Sequence, residues 1–455
     1  MTSSYKHLII IGGNAAGMSA ASRARRHDAD LKITVFEQSA HVSYASCGLP
    51  YYISNEVERP ESLLAVKPDE FRKERKIDVK LKHQAVSFDP RSRTVQIKNL
   101  EDSSEFELIY DKLIIATGAR AVMPDLPGKH LKNIFVLRTY DDGLIVKEYI
   151  DRNAPKKALI VGGGYVGMEM AESLRKRNIQ VTLVDLSDHL MSGVDEEIAI
   201  KIEKHLFENE CRIISSDKPV ALLGNDSVEK VRFQREPEQS FDMVLFASGI
   251  KPNVEFALSG GVELGSTGAI AVNSKMQTNV MHVFAAGDCA EAKDLVTGKF
   301  KYVPLGTTAN KQGRIAGDNV CGIHSHFKGI TSTAAFKVFD LEIARCGVTE
   351  KRAKQLRLPY GKVNITAKTK AGYYPGAEPV TIMLIFNIDT GKLLGAQIAG
   401  YAGSAKRIDI LAAALFNSMT VKDISELDLC YAPPFAPVWD PVLIAANQAV
   451  KQVRG

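Results

Sequence analysis

Two stretches of the chain share one alternation of character. In each, an unbroken apolar run stops at a cluster of small residues and gives way to a mixed pattern with helical spacing. The first runs Lys6–Ile11, turns through Gly12, Gly13, Asn14, Ala15, Ala16 and Gly17, and predicts a helix over Met18–Arg26. The second runs Lys157–Val161, turns through Gly162, Gly163, Gly164 and Gly167, and predicts a helix over Met168–Arg177. An unbroken apolar run marks a strand buried on both faces, as in a parallel sheet covered by helices. Each unit continues into a further strand that ends in an acid, Lys32–Glu37 and Gln180–Asp185. Strand, tight turn, helix, strand and acid is the pattern of a dinucleotide-binding unit. The turn lets a pyrophosphate reach backbone N–H groups at a helix N-terminus, and the acid grips ribose hydroxyls.

The second unit has the strict G-x-G-x-x-G spacing at Gly162, Gly164 and Gly167, whereas Asn14 replaces the middle glycine of the first. Two units in one chain imply two dinucleotides, or one dinucleotide and a decayed repeat. Asp185 would accept from the 2′-OH of NADH and repel the 2′-phosphate of NADPH. No Arg or Lys follows within Leu186–His189, so NADH is favoured; His189 keeps NADPH open. Two more strand patterns end in turns that fit a flavin domain: Leu113–Gly118, closing on Ala116, Thr117 and Gly118, and Val283–Asp288, closing on Gly287 and Asp288. Asp288 would bind the ribityl hydroxyls of FAD or, alternatively, cap a following helix. The second nucleotide unit lies between these strands, so the nicotinamide domain is expected to interrupt the flavin domain.

Composition narrows the classes. The chain has 455 residues, 45% of them apolar, and a net charge of +5. That suits several cores and anionic small molecules better than nucleic acid. The densest basic stretch, Arg72, Lys73, Arg75 and Lys76, reads as a solvated helix face or as a phosphate contact. No apolar run is long enough to span a membrane, and no signal peptide is expected. The six cysteines are 47, 211, 289, 321, 346 and 430, with no CxxC pair. Free thiols in the cytoplasm, and no metal site, are expected. Cys47, in SYASCGLPYYI (43–53), stands just after Glu37 at a helix start, where the helix dipole is expected to favour its thiolate.

The two fingerprints, Ala116–Gly118, Gly287–Asp288 and SYASCGLPYYI resemble the flavoprotein pyridine nucleotide–disulfide oxidoreductases over essentially the whole chain. The match is to the single-cysteine branch: coenzyme A disulfide reductases, NADH oxidases and NADH peroxidases. Tyr52 stands where dithiol relatives have a second cysteine, and Cys430-Tyr431-Ala432-Pro433-Pro434 replaces their His-Pro motif. Ala15 stands where the oxidases and peroxidases carry a His, which disfavours peroxide chemistry.

The resemblance therefore implies an α/β fold: two Rossmann-like domains plus a C-terminal α+β dimerisation domain. The ranges are FAD domain 1–118 and 251–330, NAD(P)H domain 119–250, and dimerisation domain 331–455. The last should hold strands Lys362–Thr366, Val380–Phe386 and Lys392–Ile398 and an amphipathic helix, Ser404–Met419. No rhodanese-like extension is expected beyond it. Tyr165, Val166 and Gly249 complete the cofactor set.

The implied activity is reduction of coenzyme A disulfide by NADH through a mixed disulfide on Cys47, in a homodimer with shared active sites. Tyr431 and Tyr373, or Tyr374 if one residue is skipped, would donate protons. Coenzyme A would contact Ser19, Arg23 and Arg26 on one helix face, Ser43 and Ser46 beside the cysteine, and Arg75. Asn310 and Trp439 would come from the partner subunit. Polysulfide or persulfide reduction, NADH oxidase or peroxidase activity, and a non-catalytic redox sensor are the alternatives.

Overall fold

The computed structural model describes residues 7–454; Lys6, the expected start of the first strand, lies outside them. The apolar runs form parallel strands. His7–Ile11 lies between Lys32–Phe36 and Lys112–Ile115, which pairs in turn with Val283–Ala285, while Asp78–Lys80 closes the other edge. The second sheet repeats this plan around Lys157–Val161, flanked by Gln180–Val184 and Met243–Phe246, with Cys211–Ile214 and Ile134–Val136 at its edges. Leu8 to Ile11 and Ala158 to Val161 are buried, as strands covered on both faces require. The chain passes between the sheets at Ala119–Ala121 and returns at Ile250–Pro252, and these short strands pair with each other.

A third, antiparallel sheet has the order Ala334–Val338, Leu341–Gly347, Leu393–Gly400, Pro379–Asn387, Tyr360–Lys368. Its first two strands, and two three-stranded antiparallel sheets on the nucleotide domains, went unanticipated. The predicted helices start late: the first begins at Ala15 and the second at Tyr165, directly on their turns. The helix expected over Ser404–Met419 is a 3₁₀ turn, Ala405–Arg407, followed by Ile408–Phe416. Arg407 is drawn into the interior there, and Ser418, at φ 54°, lies outside helical geometry.

One packing feature positions the site. Helix Ala15–His27 lies against helix Gly306–Val320. A Cβ on Gly313 would come 2.2 Å from the Ala16 carbonyl oxygen, and one on Gly317 would come 2.6 Å from that of Ala20. Only glycine permits this approach, which brings both helices to one wall. No helix among the described residues is long and apolar enough to cross a membrane. No group of three or more metal-ligating side chains occurs among them, and all six cysteines are free.

Candidate active site

The two glycine turns have nearly the same geometry. Gly12 and Gly162 hold φ of 107° and 110°. Each donates its N–H at 2.8 Å to the last residue of the neighbouring strand, Phe36 and Val184. A Cβ on Gly17 would sit 1.9 Å from the Gly12 oxygen, and one on Gly167 would sit 2.1 Å from the Gly162 oxygen. No side chain caps either helix at Asn14 or Gly164, which leaves the first N–H groups available to an anion.

The acids match as well. Glu37 accepts from the N–H groups of Gly13 and Ser39, each at 2.8 Å. Asp185 accepts from those of Gly163 at 2.7 Å and Ser187 at 2.8 Å. His189 is engaged by Glu203 at 3.1 Å and Glu196 at 3.5 Å, and the Glu203 hydrogen bond is the chief cause raising its pKa. It is therefore committed to acids rather than free for a 2′-phosphate.

Around the first turn lies a cleft of about 390 Å³ lined by Gly12, Asn14, Glu37, Ala116, Thr117 and Gly118, with Tyr44 and Ser46. A Cβ on Gly118, Gly164 or Gly249 would meet nothing within 4 Å, so backbone there is open to a ligand. Gly287, at φ 84°, brings its turn against Ala16. Asp288 beside it forms a 2.6 Å ion pair with Arg138, which also donates to the Ala119 carbonyl at 3.2 Å. No helix follows Asp288 directly, so the capping alternative fails. The hydroxyl of Tyr302, in the field of Asp288 and Arg138, is buried without a hydrogen-bond partner among the described residues. Free helix N-termini, an acid held at the turn, open glycines and an orphaned hydroxyl fit a flavin dinucleotide. Val166 lies in the first turn of the second helix. Tyr165, which opens it, accepts from Arg345 at 2.8 Å.

A second recess, of about 230 Å³, opens on the outer face of helix Ala15–His27. It gathers Ser19, Arg23, Arg26, Ser43, Arg75 and Asn310, and adds Arg314. Arg23 is pinned by buried Asp318 at 2.5 Å, and Arg75 reaches Ser22 at 3.2 Å and Glu70 at 3.6 Å. Arg72 instead pairs with Asp69 at 3.1 Å on its own helix, as a surface charge does. Two expectations change. Asn310 accepts from Ser19 of the same chain at 2.6 Å, so it sits in its own subunit's recess, brought there by the glycine-mediated helix pair. Ser46 faces the nucleotide cleft while Ser43 faces the recess, so the cysteine segment forms the wall between them.

Cys47 directly follows that wall, in the 3₁₀ turn Ser46–Gly48, and is exposed. The expected dipole effect does not prevail. The helix that follows, Leu49–Ile53, is only five residues long. Desolvation first, then the charge of Glu169, push the thiol pKa up against help from Ser46 and Arg138. Glu169 belongs to the second nucleotide unit and is itself raised to about 7, chiefly by burial and by Glu172. Tyr51 shares these surroundings and is pushed up to about 12, chiefly by burial. Glu169, Tyr51 and Arg138 were missed by sequence reasoning. Only Tyr51 carried a local signal, one helical turn beyond Cys47.

Tyr373 and Tyr431 lie together on the third domain, 77% and 47% exposed. Hydrogen bonding from Tyr373 is the first cause raising the Tyr431 pKa, which singles out Tyr373 over Tyr374 as its neighbour. Phe435, Val438 and Trp439 are exposed on the same tail. Neither tyrosine nor Trp439 lines the recess or the cleft of its own chain.

Comparison with known proteins gives a consistent picture. Residues 6–313 match the family model described as pyridine nucleotide-disulphide oxidoreductase, and residues 333–441 match its dimerisation domain. An NADH oxidase of Methanocaldococcus jannaschii is 34% identical over 98% of this chain and 99% of its own length. A CoA-dependent NAD(P)H sulfur oxidoreductase of Pyrococcus abyssi is 39% identical over 97% and 98%. The crystal structure of reduced Bacillus anthracis CoADR-RHD superposes with a TM-score of 0.97 at 37% identity, over 100% of this chain and 81% of that one.

Proposed function

The chain belongs to the pyridine nucleotide-disulphide oxidoreductase family, and from that premise we propose that it reduces coenzyme A disulfide, or a related small sulfur substrate, with NADH through Cys47. The observation that carries this is the place of Cys47, next to Ser46 at the end of the segment that separates a dinucleotide cleft from an arginine-rich recess. Its cofactors are FAD and a nicotinamide dinucleotide, with Asp185 favouring NADH. Bound FAD supplies the two-electron relay from nicotinamide to sulfur.

The protein's own residues do the rest. Arg23, Arg26 and Arg75 hold the phosphates of coenzyme A, as guanidinium forks suit phosphate oxygens. This aims the thiol end at Cys47. The Cys47 thiolate attacks one sulfur of the disulfide. One coenzyme A thiolate leaves, and Cys47 keeps the other half as a mixed disulfide. Two-electron reduction of that bond returns the Cys47 thiolate and releases the second coenzyme A. Tyr431 and Tyr373 give protons to departing thiolates. They sit away from Cys47's own recess, so a homodimer with shared active sites supports the reading, as does the dimerisation domain. Free thiols support a cytoplasmic setting.

Reduction of polysulfide or persulfide is the second reading, favoured by the exposure of Cys47, which admits a small sulfur chain. Oxidase chemistry is less well supported despite the name of one relative. Ala15 supplies no imidazole, and the charged neighbours that act on Cys47 are Glu169, Arg138 and Asp288. The test is the intact mass of the as-purified protein and of a Cys47→Ser variant, with NADH turnover on coenzyme A disulfide and on polysulfide. A coenzyme A adduct on Cys47 and faster turnover of its disulfide are expected. Absence of the adduct together with preference for polysulfide establishes the second reading, and failure of both acceptors overturns both.

A further inference from the structure

The two tyrosines are exposed, and little side-chain packing holds them; their spacing depends on the loops that carry them. One buried group ties those loops together. Arg407 is 8% exposed and Asp440 is 7% exposed. Arg407 Nε donates to Asp440 Oδ2 at 2.9 Å, and its Nη1 donates to the Gly403 carbonyl at 2.7 Å. Nη2 donates both to Thr369 O at 2.8 Å and to Phe435 O at 3.2 Å. Tyr373 lies four residues after Thr369, and Tyr431 lies four residues before Phe435. A single nitrogen therefore bridges the backbones of both loops. Among the described residues, the one main-chain bond between them is Ala371 N–H to Pro433 O, at 3.3 Å. Asp440 also caps helix Pro441–Val450 through Val442 N–H at 2.8 Å, which anchors the clamp to regular structure.

We propose that Arg407, held by Asp440, is a positioning residue for the Tyr373–Tyr431 pair, setting the separation of the two phenols by bridging Thr369 and Phe435. This rests on the proposed role of those tyrosines at the partner's cysteine. Stability alone is a poor reason for the arrangement, because apolar side chains of similar volume often replace a buried ion pair at no loss. What the guanidinium adds is a rigid planar fork of five donors. That fork satisfies carbonyls in irregular segments that have no ladder partner. Lysine offers the charge without the fork: its single nitrogen cannot hold Asp440 and Gly403 while it also bridges Thr369 and Phe435.

The experiment is rapid mixing of pre-reduced enzyme with coenzyme A disulfide. It compares wild type, Arg407→Lys, the double Tyr373→Phe/Tyr431→Phe variant and the triple combination. Flavin reduction by NADH and dimer state are measured on the same preparations. Arg407→Lys is expected to slow the disulfide half-reaction by up to ~10²-fold, the cost of misplacing a reacting group by about 1 Å. NADH reduction should stay unchanged. In the background lacking both hydroxyls, Arg407→Lys should add no further slowing. For Arg407→Lys alone, the alkaline limb of the pH profile should also move, because Tyr373 raises the Tyr431 pKa and that influence depends on their spacing. Equal slowing with and without the hydroxyls, or a wild-type rate for Arg407→Lys alone, overturns the proposal. A wild-type rate for the double Phe variant overturns the tyrosines' role itself, and the positioning role with it. Asp440→Asn keeps the helix cap and loosens the arginine; it is read by the same criteria if Arg407→Lys yields no folded dimer.

Discussion

The two nucleotide units are built alike for longer than their glycines. After each acid the chain returns to the turn through a residue of left-handed conformation, Ser43 at φ 52° and Met191 at φ 55°. Ser43 N–H donates to Gly13 O at 2.9 Å, and Met191 N–H donates to Gly163 O at 2.8 Å. Four residues further on they part. The first unit has Cys47, exposed at the end of the segment between the cleft and the recess. The second has Asp195, 5% exposed, which accepts from Glu350 N–H at 2.8 Å and Gln397 Nε2 at 2.5 Å in the third domain. One framework thus ends in a reactive group in one copy and in a structural lock in the other. What a position does is decided by what packs against it, not by its place in the turn.

The largest expected effects come from exchanging those roles for nothing. Cys47→Ser should lower disulfide reduction by more than ~10⁴-fold, as loss of a nucleophile does, with an unchanged melting temperature. Asp195→Ala should do the reverse, costing about 3 kcal/mol through charged hydrogen bonds left unmade while flavin reduction persists. Chemical denaturation and single-turnover kinetics on both variants check the contrast. If Asp195→Ala is neutral, the lock is not one.

A smaller effect separates the acids. Asp185→Ser removes the charge that, in the proposed NADH preference, would face a 2′-phosphate. The ratio of kcat/KM for NADH over NADPH should fall at least ~10-fold, since like-charge contacts cost several kcal/mol. An unchanged ratio would place the selectivity elsewhere.

The smallest effect concerns Glu169, which holds on the second helix the place that Ser19 holds on the first, two residues beyond the last glycine of the turn. Its pKa of about 7 exceeds the ordinary 4.5, so the folded protein holds the extra proton between those values. The associated stability is complete below pH 4.5 and is lost as pH rises through 7. Glu169→Gln should therefore match wild type in melting temperature near pH 5 and exceed it near pH 8. The same change should lower the pH midpoint of Cys47 alkylation, because the Glu169 charge is among the causes that raise that thiol. An alkylation profile that does not move would remove Glu169 from the cysteine's surroundings.

Sequence reading succeeded where the signal is local. Strand Lys157–Val161 carries its whole cause within itself and its glycine turn, and its bounds came out unchanged. Glu37 and Asp185 were placed correctly at the turns because strand length fixes their reach. Residues gathered from afar were not legible. Glu169 reaches Cys47 only because two domains meet, and Arg407 reaches Thr369 and Phe435 only because the third domain folds back on itself. The sign of the Cys47 shift failed for the same reason. The dipole of a short helix can be read from adjacent residues, whereas burial and a carboxylate from another domain cannot.

The strand order also sets a schedule for synthesis. The inner sheet draws all its strands from residues 134–246 and can close as soon as that segment has left the ribosome. The outer sheet begins at His7 but must wait for Val283–Ala285 to pair with Lys112–Ile115. Its helix Ala15–His27 waits longer still, for Gly306–Val320. The domain that starts first is thus finished second, and until then its early strands offer an unpaired, apolar edge. This is the stage at which nascent chains with long-range pairings are most exposed to aggregation. Prompt folding of the inserted domain, by bringing residues 119–121 and 250–252 together, shortens the loop that the outer sheet has left to close.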